Sequence, residues 1–202
     1  MMKLIVITSP VFLPGEAEAI AALFSAGLDL LHLRKPQADA GQVEELLKAI
    51  PSVYYSRIVI HDFFALKEKY GLRGIHLNSR HPEAPAGYCG QLSRSCHSLE
   101  EVAASTPCFD YVFMSPVYNS ISKQGYRSGY STEELNEAAR KGIVNSRVVA
   151  LSGIDITNIR QVACLGFGGA ALLGDIWNRF HSLADLDAVV AHLKALYAEI
   201  HS

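Results

Sequence analysis

Little in this sequence runs to excess, and each shortage narrows the possibilities. Four cysteines, Cys89, Cys96, Cys108 and Cys164, form no CxxC pair. That speaks against a zinc ribbon or a disulfide framework and leaves small core residues or free thiols. The eight histidines show neither HxxxH nor HExxH spacing, so no histidine-based zinc motif is present. Basic and acidic residues nearly balance, 18 against 20, for a formal net charge of -2. No blanket affinity for nucleic acid follows from that charge, although a local basic pocket is compatible with it. No apolar stretch approaches the ~18–20 residues of a membrane span. The opening MMKLIVITSP is too brief for a signal sequence and reads as a first strand of a cytoplasmic protein. Linkers, low-complexity tracts and charge blocks are also missing, which makes residues 1–202 one domain.

What the chain does have is alternation. Half of it is hydrophobic and 19% is charged, an ordinary globular balance. Short β-branched apolar runs occur at Lys3–Thr8, Leu28–Arg34, Arg57–His61, Arg73–Leu77, Gln91–Ser95, Asp110–Ser115, Arg147–Leu151 and Gly169–Leu173. Helical periodicity fills Gly15–Ala26, Asp39–Ile50, Phe63–Tyr70, Ser98–Ala104, Thr132–Lys141, Ile156–Leu165 and Asp185–His201. The link His81–Gly90, with two prolines and two glycines, is expected to carry little or no helix. Ser98 ahead of Glu101, Thr132 ahead of Leu135, and Gly71 after a helical run are the expected cap signals. Eight strand–helix units with apolar strands predict a parallel α/β fold, a compact single-domain (β/α)8 TIM barrel; a doubly wound open sheet is the alternative.

In a barrel, chemistry collects at the C-terminal ends of the strands. Those ends carry His32, Arg34 and Lys35; His61 and Asp62; His76, Asn78, Arg80 and His81; Ser95 and His97; then Ser115-Pro116 and a polar loop from Tyr118 to Ser131. Strand seven ends at Ser152-Gly153 and strand eight at Leu173-Gly174, ahead of Asp175. Small residues at both of these loops leave backbone N–H groups for an anion, the usual phosphate position in barrels; they also suit tight turns alone. Asp175 counts against a phosphate unless it is turned away. Arg34 and Lys35 offer a second anionic contact, and Lys123 in the polar loop a third cation. Asp62 either holds Mg²⁺ against a diphosphate or caps the following helix. His97 is either an acid–base group or a hydrogen-bonded residue at a helix start. Two anion sites at one mouth suit a pair of phosphorylated small molecules.

The segments LHLRK, RSCHSLEE, DYVFMSPVYNSISK and VVALSGI, in this order, resemble the thiamin phosphate synthase and thiazole tautomerase family over nearly the whole chain. The resemblance implies a (β/α)8 barrel. It also implies a transferase that joins 4-amino-2-methyl-5-hydroxymethylpyrimidine diphosphate to thiazole phosphate, with release of pyrophosphate and help from Mg²⁺. By that likeness His32 stands at a substrate-contacting glutamine, Arg34 at the diphosphate arginine, and Lys35 one place from the synthase lysine, which falls at Pro36. His61-Asp62 replaces Asn-Asp, so Asp62 is a metal ligand and His61 a substrate contact; the partner aspartate falls at His81.

Ser95 and Lys123 then meet the diphosphate, with Arg34 and Lys123 as the catalytic pair, and His97 lines the site. Ser120, Ser122, Ser152, Gly153, Leu173 and Gly174 bind the thiazole phosphate. The tautomerase branch uses a histidine just after strand six, where this chain has Pro116; an isomerase using His97 remains an alternative. So does a non-catalytic thiamin phosphate-binding paralogue. Neither a membrane nor a nucleic-acid partner is expected, and a homo-oligomer is possible.

Overall fold

A computed structural model describes residues 2–118 and 130–201 of the protein. Eight strands form: β1 (Lys3–Ile7), β2 (Leu30–Leu33), β3 (Ile58–Ile60), β4 (Gly74–Leu77), β5 (Gln91–Cys96), β6 (Tyr111–Met114), β7 (Val148–Leu151) and β8 (Gly169–Leu172). Each pairs in parallel with the next, and β8 closes on β1 through registers such as Leu4↔Ala170. That closure is what separates a barrel from the open-sheet alternative. Around it lie α1 (Glu16–Ser25), α2 (Ala40–Ala49), α3 (Ala65–Tyr70), α4 (Leu99–Ser105), α5 (Thr132–Arg140), α6 (Ile159–Cys164), α7 (Gly174–Trp177) and α8 (Leu186–His201).

Local chemistry explains most of the boundaries. The Ser98 hydroxyl accepts from the Glu101 amide at the start of α4, and Gly71 ends α3 at φ 63°, a conformation cheap only for glycine. The cap of α5 is Ser131 rather than Thr132: Ser131 and Glu134 satisfy each other's amides in a capping box. The link 81–90 carries no helix. The four-residue α7 is too short to leave a periodic signal in sequence; the Trp177 indole N–H ties it to the Ile7 carbonyl at 2.7 Å. Val189, Leu193 and Leu196, four and three residues apart, are the buried face of α8, which packs on α1 and α6. Each such side chain contributes roughly 1.5–3 kcal/mol on burial.

Alternation along the strands divides the core in two. Outward residues such as Leu31, Leu33, Val112 and Met114 join the layer beneath the helices, while Ile5, Ile7, Leu30, Tyr111, Phe113, Val149 and Ala171 fill the barrel. The filling is lopsided. Strands β7, β8 and β1 supply apolar groups, but register puts His32 beside Val59, His76 beside Ser93 and Ser95 beside Phe113 on the opposite part of the wall. All four cysteines are free, with only Cys96 buried. Among the described residues no helix is long and apolar enough to cross a membrane.

Candidate active site at the strand C-termini

The end of β2 sorts its two cations by strand parity. Leu30 and His32 face the barrel, so Arg34 does too, whereas Lys35 faces the helices. The Thr8 hydroxyl clamps the Arg34 backbone, accepting from its amide and donating to its carbonyl, both at 2.9 Å. The Arg34 guanidinium makes no hydrogen bond or ion pair with a described residue. Burial and then the charge of Arg80 lower its pKa, with Asp62 opposing them. Lys35 corrects the expectation of an anion contact. It is buried, its Nζ lies 2.6 Å from the Glu16 carboxylate and 2.8 Å from the Val11 carbonyl, and Phe12 lies against it. Burial pulls Lys35 down and Glu16 up in pKa, and their contact opposes both shifts.

His32 and His61 also differ from the expectation of substrate contacts, because both are buried within the barrel. His32 Nδ1 lies 2.9 Å from His61 Nε2, and its Nε2 lies 2.7 Å from the Tyr111 hydroxyl. His76 stacks on His61 with ring centroids 4.2 Å apart and places its nitrogens 2.8 Å from Ser93 Oγ and 2.9 Å from Ser95 Oγ. Burial first, then Arg34 and Arg94, push His76 down to about 3. His32 and His61 are likewise held well below the usual imidazole range by burial and by their neighbouring imidazoles, His61 also by Arg34 and Arg80. The three rings bring ligand atoms within 4.8 Å of one another. Both nitrogens of His32 and of His76, and Nε2 of His61, already have hydrogen-bond partners within the barrel. The trio is a neutral hydrogen-bonded wall.

The loops after β3 and β4 meet at Asp62. Phe63, next in the chain, adopts φ 55°, a strained conformation for a bulky residue that clusters at functional sites. Asp62 accepts from Arg80 Nη2 at 3.0 and 3.1 Å, one bond to each oxygen, and His81 Nε2 lies 3.2 Å away. Asp62 and His81 therefore do meet, as the metal assignment requires, but the arginine between them was not part of that reading. Asn78 builds the presenting turn. Its side-chain oxygen accepts from the Arg80 and His81 amides, and its side-chain amide donates to the His61 carbonyl.

Further around the rim, Ser95 hangs from His76, and His97 is exposed with Nδ1 3.2 Å from the Ser115 carbonyl. Ser120, Ser122 and Lys123 lie outside the described residues. Ser152 and Gly153 adopt φ 83° and 68°, two successive left-handed residues that turn the chain just past β7. At β8 the chain passes through Leu173 into the first turn of α7 at Gly174. Asp175 is indeed turned away: it holds His192 at 2.6 Å and Arg179 at 3.2 Å. Tyr118 escaped the sequence reading. Its hydroxyl is buried without a partner among the described residues, and burial raises its pKa.

With this rim in view, comparison with known proteins is decisive. The model of the thiamine monophosphate synthase family matches residues 4–176. The chain belongs to this family. A thiamine-phosphate synthase of Yersinia pestis is 30% identical over 168 residues, 78% of this chain and 77% of that one. The crystal structure of a thiamine phosphate pyrophosphorylase from Bacteroides thetaiotaomicron is 48% identical, with a TM-score of 0.91 over 99% of this chain and 98% of that one. One from Pyrococcus furiosus, at 20% identity and TM-score 0.77 over 99% and 96% of the two chains, shares the fold. This chain pairs Asp62 with Arg80 and carries three interior histidines, His32, His61 and His76. Arg80 is one residue before His81 and was visible as a strand-end cation; its partner was not.

Proposed function

We propose that the protein condenses 4-amino-2-methyl-5-hydroxymethylpyrimidine diphosphate with thiazole phosphate to thiamin phosphate and pyrophosphate. The observation that carries this reading is the family match over residues 4–176, joined to Arg34, whose guanidinium has no partner among the described residues and whose backbone is fixed by Thr8, on the same rim as Ser152 and Gly153. One rim thus offers a forked cation for a diphosphate and backbone amides for a separate phosphate.

The reaction breaks the bond between the pyrimidine methylene carbon and the diphosphate oxygen, and the electron pair leaves on that oxygen. The thiazole nitrogen lone pair then forms the new C–N bond. Positive charge near the departing oxygens lowers the barrier to the first step, and holding both rings in line supplies the second. Arg34 and Ser95, with Lys123 from the loop after β6, serve the diphosphate. Ser152, Gly153, Leu173 and Gly174, with Ser120 and Ser122, serve the thiazole phosphate. Leu151 and Leu173, partly buried, pack against the apolar interior of the barrel.

Mg²⁺ does not fit the donor set at Asp62. The single carboxylate already accepts from Arg80 at both oxygens, and its neighbour His81 offers nitrogen where Mg²⁺ prefers oxygen. No step is assigned to the metal.

The test is pyrophosphate release by purified protein given both substrates, with thiamin phosphate identified as product. Release that needs both substrates supports the transferase. Binding of both without release overturns it in favour of a non-catalytic binder, and conversion of thiazole carboxylate phosphate isomers favours the tautomerase.

A further inference from the structure

We infer that Arg80 takes the place of a divalent ion at this rim: aimed by Asp62, it joins Arg34 as counter-cation to the diphosphate, and the site binds and releases pyrophosphate without Mg²⁺. The inference rests on the transferase reading for its substrate, but its binding site is testable alone.

The geometry is that of a built site. Asp62 engages one terminal nitrogen of Arg80, and Nη1 and Nε, which have no partner among the described residues, can donate to an incoming oxyanion. The Arg80 side chain is 41% exposed and that of Asp62 only 11%, so of the pair the cation is the one open to an incoming ligand. Asn78 fixes the turn from which Arg80 projects, through the amides of Arg80 and His81.

The charge count points the same way. Among the described residues, Asp62 is the one acidic group that acts on Arg34, and the charge of Arg80 presses on this half-buried guanidinium. Two guanidinium groups that disfavour each other are relieved by an anion between them, and a diphosphate presents oxygens to both. A divalent ion at Asp62 would instead have to displace Arg80 and sit beside two arginines.

The balance of the reaction needs no co-reactant. The methylene carbon–oxygen pair departs with the diphosphate, whose added negative charge Arg34 and Arg80 meet. The proton inventory is unchanged until pyrophosphate exchanges with solvent.

Isothermal titration of the intact protein with inorganic pyrophosphate in EDTA is the direct test. The expected result is binding in EDTA that Mg²⁺ does not tighten. Arg80→Ala should weaken it about tenfold or more, as loss of a charged hydrogen bond requires, and Arg80→Lys should restore part of the loss. Because Arg80 is a half-exposed loop residue, both variants should fold, and circular dichroism checks that. Binding seen only with Mg²⁺, or unchanged in Arg80→Ala, overturns the inference. Turnover of both substrates separates it from the reading on which it rests. Turnover only with Mg²⁺ keeps the transferase and removes the role of Arg80. Metal-free, Arg80-dependent pyrophosphate binding without turnover removes the transferase and keeps the site.

Discussion

The Nε2 of His76 lies 2.9 Å from the Ser95 hydroxyl, linking the buried histidine wall to the rim proposed to take the diphosphate. His76 is anchored from below by Ser93 at 2.8 Å, so Ser95 is oriented by a ring that cannot swing. His76 is a positioning residue in this arrangement. His76→Gln should weaken pyrophosphate binding several-fold, and adding Ser95→Ala should cost less than the sum of the two single changes. Strict additivity in titration calorimetry would show that the two act separately.

The buried imidazoles make the fold acid-sensitive. His76 titrates near 3 in the folded chain against roughly 6.5 when unfolded, and His32 and His61 are shifted in the same direction. Between those values the unfolded chain binds more protons than the folded one, so stability is full above about pH 6.5 and falls on acidification. Each neutral histidine should cost on the order of 1 kcal/mol per pH unit over that window. Urea denaturation at pH 7.5, 6 and 5 measures the slope, which should flatten in His76→Gln. A flat wild-type profile would refute the assignment.

Lys35 and Glu16 are a structural pair, not part of the anion site. Lys35→Met alone strands a buried carboxylate and should destabilise the protein by roughly 3–5 kcal/mol, whereas Lys35→Met with Glu16→Leu should recover most of that loss. Pyrophosphate affinity in the folded double variant should match wild type. A tenfold loss of affinity there would return Lys35 to the binding site.

The Tyr118 hydroxyl is buried without a partner among the described residues. Tyr118→Phe should leave thermal stability unchanged or raise it by about 1 kcal/mol, since an unsatisfied group is removed. The same change should raise KM for one substrate. A fall in stability with unchanged KM would mean that the hydroxyl is satisfied within the protein.

The site was legible in part, for a specific reason. Arg34, Asp62, Ser95, Gly153 and Gly174 stand at strand ends, where the position along a (β/α)8 chain already implies the rim. Lys35 was misplaced because adjacent strand residues face opposite sides, and only the neighbouring helix shows that Glu16 awaits it. His32 and His61 were read as rim groups because their depth in the barrel depends on strand register across β2, β3 and β4. The loop carrying Ser120, Ser122 and Lys123 contributes to the reading through sequence alone.

By itself, the amino-acid sequence determined the eight alternating units, the parallel class, most caps and the ring of polar strand ends, since these follow from periodicity and near-neighbour chemistry. Tertiary structure alone decided which charges are spent on each other. Glu16 claims Lys35 across 19 residues, Arg80 claims Asp62 across 18, and Arg34 has no ion-pair partner among the described residues. Such pairings depend on which elements close side by side in the barrel, and no local pattern encodes them.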